Sequence, residues 1–464
     1  MPNAIRRRPP ARARRARVLR LLAAIAAGSL ACGSSTSPNV VLIIIDTLRA
    51  DKLSSYGFSK PTSPELDALA ARGVRFARTI APSSWTRPSI ASLLTGFYPR
   101  RVGIYDEQRH ILAERIDTLA EIFARHGYAT LGITANPNIN SSYGFHQGFD
   151  EYLDSTVLWP WMPAEADKKR GYEHPMQTSR EMFDVLLERL AKAPARPTYV
   201  QACVMEVHGA FSPGVVKPPF AGRFLGTRDH LYLEAIALVS SEIDRFVEKL
   251  VTLPGWDDTL VVITSDHGQG LFDHPDVAES RLHGRLLYDS HTVVPLILHH
   301  PASASAAPGS QTRLPAGLVI ERPVRLLDVA PTVLDFAGVP RPDGLDGVSL
   351  MPLLAGEDVA LPAVLISETE YRDMDKIAAF DGPWKYIDSK DGHVGVAPSE
   401  LQQRGRPENG KLTDVSGRYP EHVRRLSDYV ARWKADHPRE APTLQQHALP
   451  PAEVEQLKAL GYLP

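Results

Sequence analysis

Residues 39–45 read Asn-Val-Val-Leu-Ile-Ile-Ile and stop at Asp46. A run this rich in β-branched residues, with no apolar–polar alternation, has no face to offer to water. It reads as a strand covered on both sides, which belongs to a parallel sheet inside an α/β fold. Parallel neighbours need crossovers, and the chain supplies helical candidates at the right intervals. Pro64–Arg72 has Ser63 as N-cap, Pro64 at its first position and Gly73 as its stop. Thr118–His126 repeats the pattern and leads into a strand at Tyr128–Thr134. Tyr199–Val207 is another apolar strand, and a long helix at Leu231–Leu250 precedes a strand at Leu260–Ser265 that ends at Asp266. Val293–Leu298 is one more strand. The expected fold is α/β: a mixed, mostly parallel sheet flanked by helices, followed by a smaller C-terminal α+β subdomain.

Domain limits follow from texture. Residues 39–340 form the main α/β domain on this reading and 341–464 the C-terminal subdomain, which is rich in Gly, Pro and Leu between 338 and 362 and polar beyond 390. Residues 1–31 read as a bacterial export signal, with a basic stretch from Arg6 to Arg20 and an apolar stretch from Leu21 to Ala31. Cys32 follows Leu30-Ala31 as in a lipoprotein cleavage box, although Ser29 stands where leucine is usual; a plain secretory signal is the other reading. Residues 32–38 are a polar tether. The expected location is therefore exported: periplasmic or outer-membrane lipoprotein, or secreted, touching a membrane only through a lipid on Cys32. The formal net charge is −2, but residues 1–31 hold eight arginines and no acid, so the remainder carries −10. An acidic body argues against a nucleic-acid partner. Cys203 is the only other cysteine, so no internal disulfide is expected.

Open parallel sheets place ligands at the carboxyl ends of their strands. Two strands here end in acids, at Ile45-Asp46-Thr47 and at Ser265-Asp266-His267-Gly268. A single such acid is commonly a helix cap; two, one of them followed by histidine, point to a shared metal site of oxygen and imidazole ligands. Ser84–Gly96 reads as a turn into a short helix, with Pro88 in its first turn and Gly96 as its end. Thr86 then sits at the helix N-terminus, where free N–H groups favour an anion. Spacing alone leaves open whether Thr86 is a nucleophile or only caps this helix.

These stretches, together with His283–Leu296 (HGRLLYDSHTVVPL), Leu327–Leu354 and Leu457–Leu463 (LKALGYL), resemble the sulfatases of the alkaline phosphatase superfamily, in order over nearly all of Asn39–Tyr462. The resemblance implies hydrolysis of a sulfate or phosphate ester of a small molecule, glycan or lipid. It implies a divalent metal (Ca, Zn or Mn) held by Asp46, Asp266 and His267, with Thr86 as nucleophile. His208 and His283 would serve the anion or its leaving oxygen, and Glu206, His208 and His283 are candidates for a second ion. Glu206 is alternatively a carboxylate partner for His208. Arg49, Asp51 and Tyr56 are expected to shape the first loop, and Asp328 and Asp335 to cap a helix and face solvent.

Departures matter as much. Sulfatases carry Cys or Ser, matured to formylglycine, at the first position of C/S-x-P-x-R; here Thr86 stands there and Ile90 replaces the arginine. Threonine does not form that aldehyde. A metal-activated threonine remains a good nucleophile, which favours phosphoester chemistry through a phosphothreonine. Thr47 stands where many sulfatases have a second acid, and Gln269 where Glu is frequent. The competing readings are a phosphoryl or phosphoethanolamine transferase, and a non-catalytic degenerate sulfatase that binds ligand. Specificity is expected in the loops 136–175 and 209–230.

Overall fold

The computed structural model describes residues 37–105, 110–154, 178–193, 196–211, 215–274, 281–304, 314–371, 374–389, 397–404, 413–445 and 449–459. The export signal, Cys32 and parts of the specificity loops and of the Leu457–Leu463 stretch lie outside them.

The centre of the fold is the strand that the sequence marks most clearly. β1 (Asn39–Ile45) is buried along its whole length, and Val40–Ile45 are sealed from solvent. It pairs in parallel with β6 (Thr198–Val204) on one side and β7 (Thr259–Thr264) on the other. Beyond β6 come β4 (Ala129–Thr134) and β5 (Glu151–Leu153), also parallel. On the other flank β8 (Val293–His299) runs antiparallel to both β7 and β2 (Val74–Ile80), and β9 (Leu318–Ile320) and β10 (Val324–Arg325) pair with β2. The mixed sheet is thus parallel except at β8, and the short β3 (His110–Ile111) lies outside it, paired with Thr443–Leu444. β2 has no clean apolar run, since Arg75 and Arg78 interrupt it, and it escapes a reading based on hydrophobic runs.

Helices cover the sheet as crossovers require. His230–Leu250 turns a broad apolar face inward, including Tyr232, Leu233, Ile236, Ile243 and Phe246. Leu119–Arg125 begins with a capping box, Thr118 and Glu121 bonding each other's backbone N–H groups. In helix Pro64–Ala71 the Ser63 hydroxyl bonds the Asp67 carboxylate at 3.0 Å instead of the helix backbone.

The last third is built on a four-stranded antiparallel sheet, β11 (Leu365–Tyr371), β12 (Met374–Asp381), β13 (Trp384–Ser389) and β14 (Ser399–Gln403), with helix Pro420–Asp436 packed on it. Two expectations are corrected here. Asp328 does not face solvent: it is sealed and holds the buried Arg325 guanidinium at 2.6 Å while accepting the Val348 N–H at 2.9 Å. Asp328 does stand at the N-cap position of helix Val329–Ala337, without a side-chain cap bond, whereas Asp335 is no cap; it lies inside that helix and pairs with Arg341 at 2.8 Å.

Candidate active site

β7, β1, β6 and β4 lie side by side and parallel, so their carboxyl ends open on one edge of the sheet. Each delivers a polar residue there. β1 ends in Asp46, β7 leads to Asp266 and His267, β4 leads to Asn136, and β6 leads to Glu206 and His208. Helix Thr86–Thr95 brings Thr86 to the same edge as its first residue, and Gly96 in the left-handed region ends it. The helix is pinned by the Ser89 hydroxyl, which donates to the Asp266 carbonyl at 2.6 Å.

The atoms that meet are unusual in kind. His267 Nε2 lies 3.3 Å from Asp266 Oδ2, 3.9 Å from Asp46 Oδ1 and 3.3 Å from Thr86 Oγ1. All four residues are sealed from solvent. His267 Nδ1 donates to the Gly268 carbonyl at 2.9 Å, which leaves Nε2 as a lone pair aimed at the carboxylates and able to accept the Thr86 hydroxyl proton. Asp46 Oδ1 and Asp266 Oδ2 have no hydrogen-bond partner among the described residues. Burial, then the charge of Asp266, pushes the Asp46 carboxyl well above its usual range, against the Asn136 amide that holds it down. Two orphaned carboxylate oxygens and an imidazole lone pair facing one another fit a divalent cation, whose charge would offset the burial and repulsion that otherwise drive Asp46 to hold a proton. Among the described residues no other set brings three such ligand atoms within 4.8 Å of each other.

Supporting contacts fix these groups. The other oxygens of both carboxylates are engaged: Asp46 Oδ2 accepts from Asn136 Nδ2, and Asp266 Oδ1 accepts the N–H groups of Thr47 at 3.2 Å and His267 at 2.9 Å. Thr47 reaches this geometry with a left-handed backbone (φ 61°), a strained state for a β-branched residue of the kind found where function demands it. Gly268 is obligatory: a Cβ there would lie 2.0 Å from the Ser290 carbonyl oxygen. Arg49 ties the two loops together, bonding Asp51 at 2.7 Å, Asp273 at 2.6 Å and the Gln269 carbonyl at 3.1 Å. Tyr56 bonds the Leu296 backbone, so this trio shapes the loops as expected.

Three histidine rings meet at the centre, His283 tilted against His267 and edge-on to His208. The His283 ring centroid is 4.6 Å from that of His267 and 5.2 Å from that of His208. His283 Nδ1 donates to Gln269 Oε1 at 3.0 Å, which gives the unexpected glutamine a function in holding this ring. His208 turns its Nδ1 away from solvent, and the loss of hydration, with His267 nearby, pushes its pKa down to about 3. It is a neutral ring at physiological pH. Glu206 is corrected on both counts. Its Oε1 accepts the Ser179 N–H instead of bonding His208, and Glu206, His208 and His283 do not converge as a second ligand set.

Asn136 and Ser265 were missed by sequence reasoning. Ser265 accepts the Leu48 N–H at 2.9 Å and donates to the His267 carbonyl at 2.8 Å. Its signal was its place beside Asp266; Asn136 offered only its position just past a third parallel strand.

A family model described as Sulfatase matches residues 38–339. The N-acetylgalactosamine-6-sulfatase of Canis lupus familiaris is 27% identical over 379 residues, covering 72% of this chain and 69% of the relative. The Delta 4,5-hexuronate-2-O-sulfatase of Bacteroides thetaiotaomicron is 24% identical, covering 88% of this chain and 93% of its own. Among solved structures, the phosphonate monoester hydrolase of Agrobacterium radiobacter superposes with a TM-score of 0.68 at 20% identity, over 86% of this chain and 96% of the other, a likeness of fold.

Proposed function

The chain belongs to the sulfatase family, and we infer that within it this protein is a metal-dependent ester hydrolase using Thr86 as its nucleophile, on phosphate esters in preference to sulfate esters. The observation that carries this reading is the meeting of two carboxylate oxygens and an imidazole nitrogen around the Thr86 hydroxyl. Asp46, Asp266 and His267 would hold one divalent ion; the imidazole in the set favours zinc or manganese over calcium. Such an ion supplies a lowered alcohol pKa and neutralises charge on the transferring group.

The protein's own groups do the rest. Thr86 Oγ1, its proton released to solvent, forms the bond to phosphorus while the bond to the leaving oxygen breaks. The departing oxygen takes a proton from the histidine pair; His283, half-buried and oriented through Gln269, suits this better than His208, which burial keeps neutral and able only to donate an N–H. Water then attacks the phosphothreonine, releasing phosphate and restoring the hydroxyl. A sulfated threonine lacks the hemiacetal route by which formylglycine enzymes release sulfate, so phosphorus suits a threonine better. The sulfatase relatives keep sulfate esters of glycans as the second reading.

Residues 1–31 are taken as an export signal, Cys32 as a lipid attachment site and the envelope or medium as the working location; among the described residues no helix is long and apolar enough to cross a membrane. The test is Thr86→Ala, assayed on aryl phosphate monoester, diester and sulfate with zinc, manganese and calcium. Turnover should fall by at least about a thousandfold with metal content unchanged. Full retained activity overturns the assignment, and preference for the sulfate overturns the choice of phosphorus.

A further inference from the structure

The last described helix, Pro451–Ala459, comes from the far end of the chain but packs on the turn Pro137–Ile139, just past β4. Leu457 anchors it in the main core. The helix also sends one acid inward. Glu453 is 3% exposed, and its Oε1 accepts from Asn140 Nδ2 at 3.2 Å and from the Ser142 hydroxyl. The segment before the helix follows the same course: Thr443–Leu444 pairs with β3, and Gln445 Nε2 donates to the Ser142 carbonyl at 3.3 Å.

Residues 136–143, held by Glu453 on one side, reach the reaction centre at two points on the other. Asn136 donates to Asp46 Oδ2. Asn138 accepts from Arg87, the residue after the nucleophile, at 3.2 Å through its carbonyl and at 3.0 Å through its side chain. The same guanidinium lies 3.7 Å from the Tyr143 ring centroid. The segment consists of two short turns, Pro137–Ile139 and Ser141–Tyr143, joined at Asn140. The first is tied to Asn136, whose Oδ1 accepts the Asn138 N–H at 2.8 Å. The second is tied to Asp154, which accepts the Ser141 N–H and hydroxyl at 2.7 Å. Glu453 bonds the joint and the second turn, so its two bonds hold one turn against the other. Packing alone would be served by an apolar residue at 453, because burying a carboxyl costs free energy that only its hydrogen bonds offset. Those bonds to the loop are what the acid adds.

We propose that Glu453 is a positioning residue of the reaction centre: it holds residues 136–143 in the arrangement that puts the Asn136 amide on Asp46. The C-terminal helix is then part of the centre, acting through the loop. The placement of Asn136 stands without a metal, whereas the effect on cation affinity rests on the hydrolase reading above. The test uses the full mature chain, metal-free and with ¹⁵N-labelled asparagine; the Asn136 side-chain amide signal is assigned by its loss in Asn136→Ala. Glu453→Ala should move that signal, and by more than Leu457→Ala, which loosens the same helix without touching the two bonds. Glu453→Gln should leave it in place, since the amide oxygen keeps both bonds and the nitrogen replaces an oxygen with no partner among the described residues. A signal unmoved in folded Glu453→Ala, or moved as far by Leu457→Ala or by Glu453→Gln, overturns the proposal. Should Glu453→Ala fail to fold, Ser142→Ala reads the same link from the loop side with the same two outcomes. In chelator competition Glu453→Ala should lower zinc and manganese affinity about two- to tenfold, as for loss of an ordinary hydrogen bond. Added to Asn136→Ala it should lower affinity no further, and an equal loss in both backgrounds overturns the route through Asn136. A wild-type protein that takes up no cation sinks the metal reading and leaves the amide signal to decide this one.

Discussion

Replacing Asn136 with alanine tests the centre without touching a ligand. The Asn136 side chain is sealed, donates to Asp46 Oδ2 and accepts the Asn138 N–H at 2.8 Å. Removing it leaves a second oxygen of Asp46 without a partner, beside the one that already has none. A hydrogen bond to a charged group is worth about 1.5–3 kcal/mol. At about 1.4 kcal/mol per decade, cation affinity should fall roughly ten- to a hundredfold, as for other groups that orient metal ligands. The loss has a pH signature. Asn136 lowers the proton affinity of Asp46, so without it the proton competes better with the cation, and the defect should deepen as pH falls. Chelator-competition titration with zinc and manganese at pH 6 and pH 8 reads both effects, with thermal melting of the metal-free protein as a check on folding. Wild-type affinity at both pH values in a folded Asn136→Ala protein would refute the assignment of Asp46 as a ligand oriented by this amide.

Gly268→Ala should abolish cation binding and turnover together, because the added methyl meets the Ser290 carbonyl at 2.0 Å and the loop carrying His267 must move; metal content of the purified variant checks it. Asp328→Asn should cost about 3–5 kcal/mol in urea unfolding, since it leaves the buried Arg325 uncompensated, and a loss below about 1 kcal/mol would show that the pair is not what holds this corner. Burial raises the Glu206 carboxyl, so the folded state keeps a proton that the unfolded chain releases above about pH 4.3. Stability from this group is present below that pH and is lost as pH rises through the folded value. Glu206→Gln, whose amide oxygen still accepts the Ser179 N–H, should therefore gain melting temperature over wild type as pH is raised from 4 to 8.

Much of the fold was legible because burial writes itself into composition. Strands covered on both faces, β1, β6 and β7, carry no charged residue and are fully buried, with β1 and β7 mostly large aliphatic residues, and their limits agree with the sequence reading to within a few residues. β2 and the small sheet's β12 carry charges on partly exposed faces, as at Arg75 and Asp375, and that mixture is not distinctive. Asp328 misled for a related reason. An acid beside an apolar helix is usually solvated, and only the packing of Arg325 from the preceding strand end reveals a buried pair.

The sequence by itself determined which residues stand at the strand ends: Asp46, Asp266 and His267 are fixed there by the length of the apolar runs before them. It also determined that residue 86 is a hydroxyl and not a cysteine, which steers the chemistry from the aldehyde toward a threonine ester. Only the tertiary structure decided that these groups meet with their lone pairs facing inward, that Asn136 supports Asp46, and that Gln269 holds His283 while Glu206 turns away to Ser179. The physical reason is range. Strand and helix propensities are set by neighbours along the chain, whereas the ligand site depends on hydrogen bonds such as Asn136 to Asp46, 90 positions apart, and Thr47 to Asp266, 219 apart, whose partners are chosen by how the sheet is ordered.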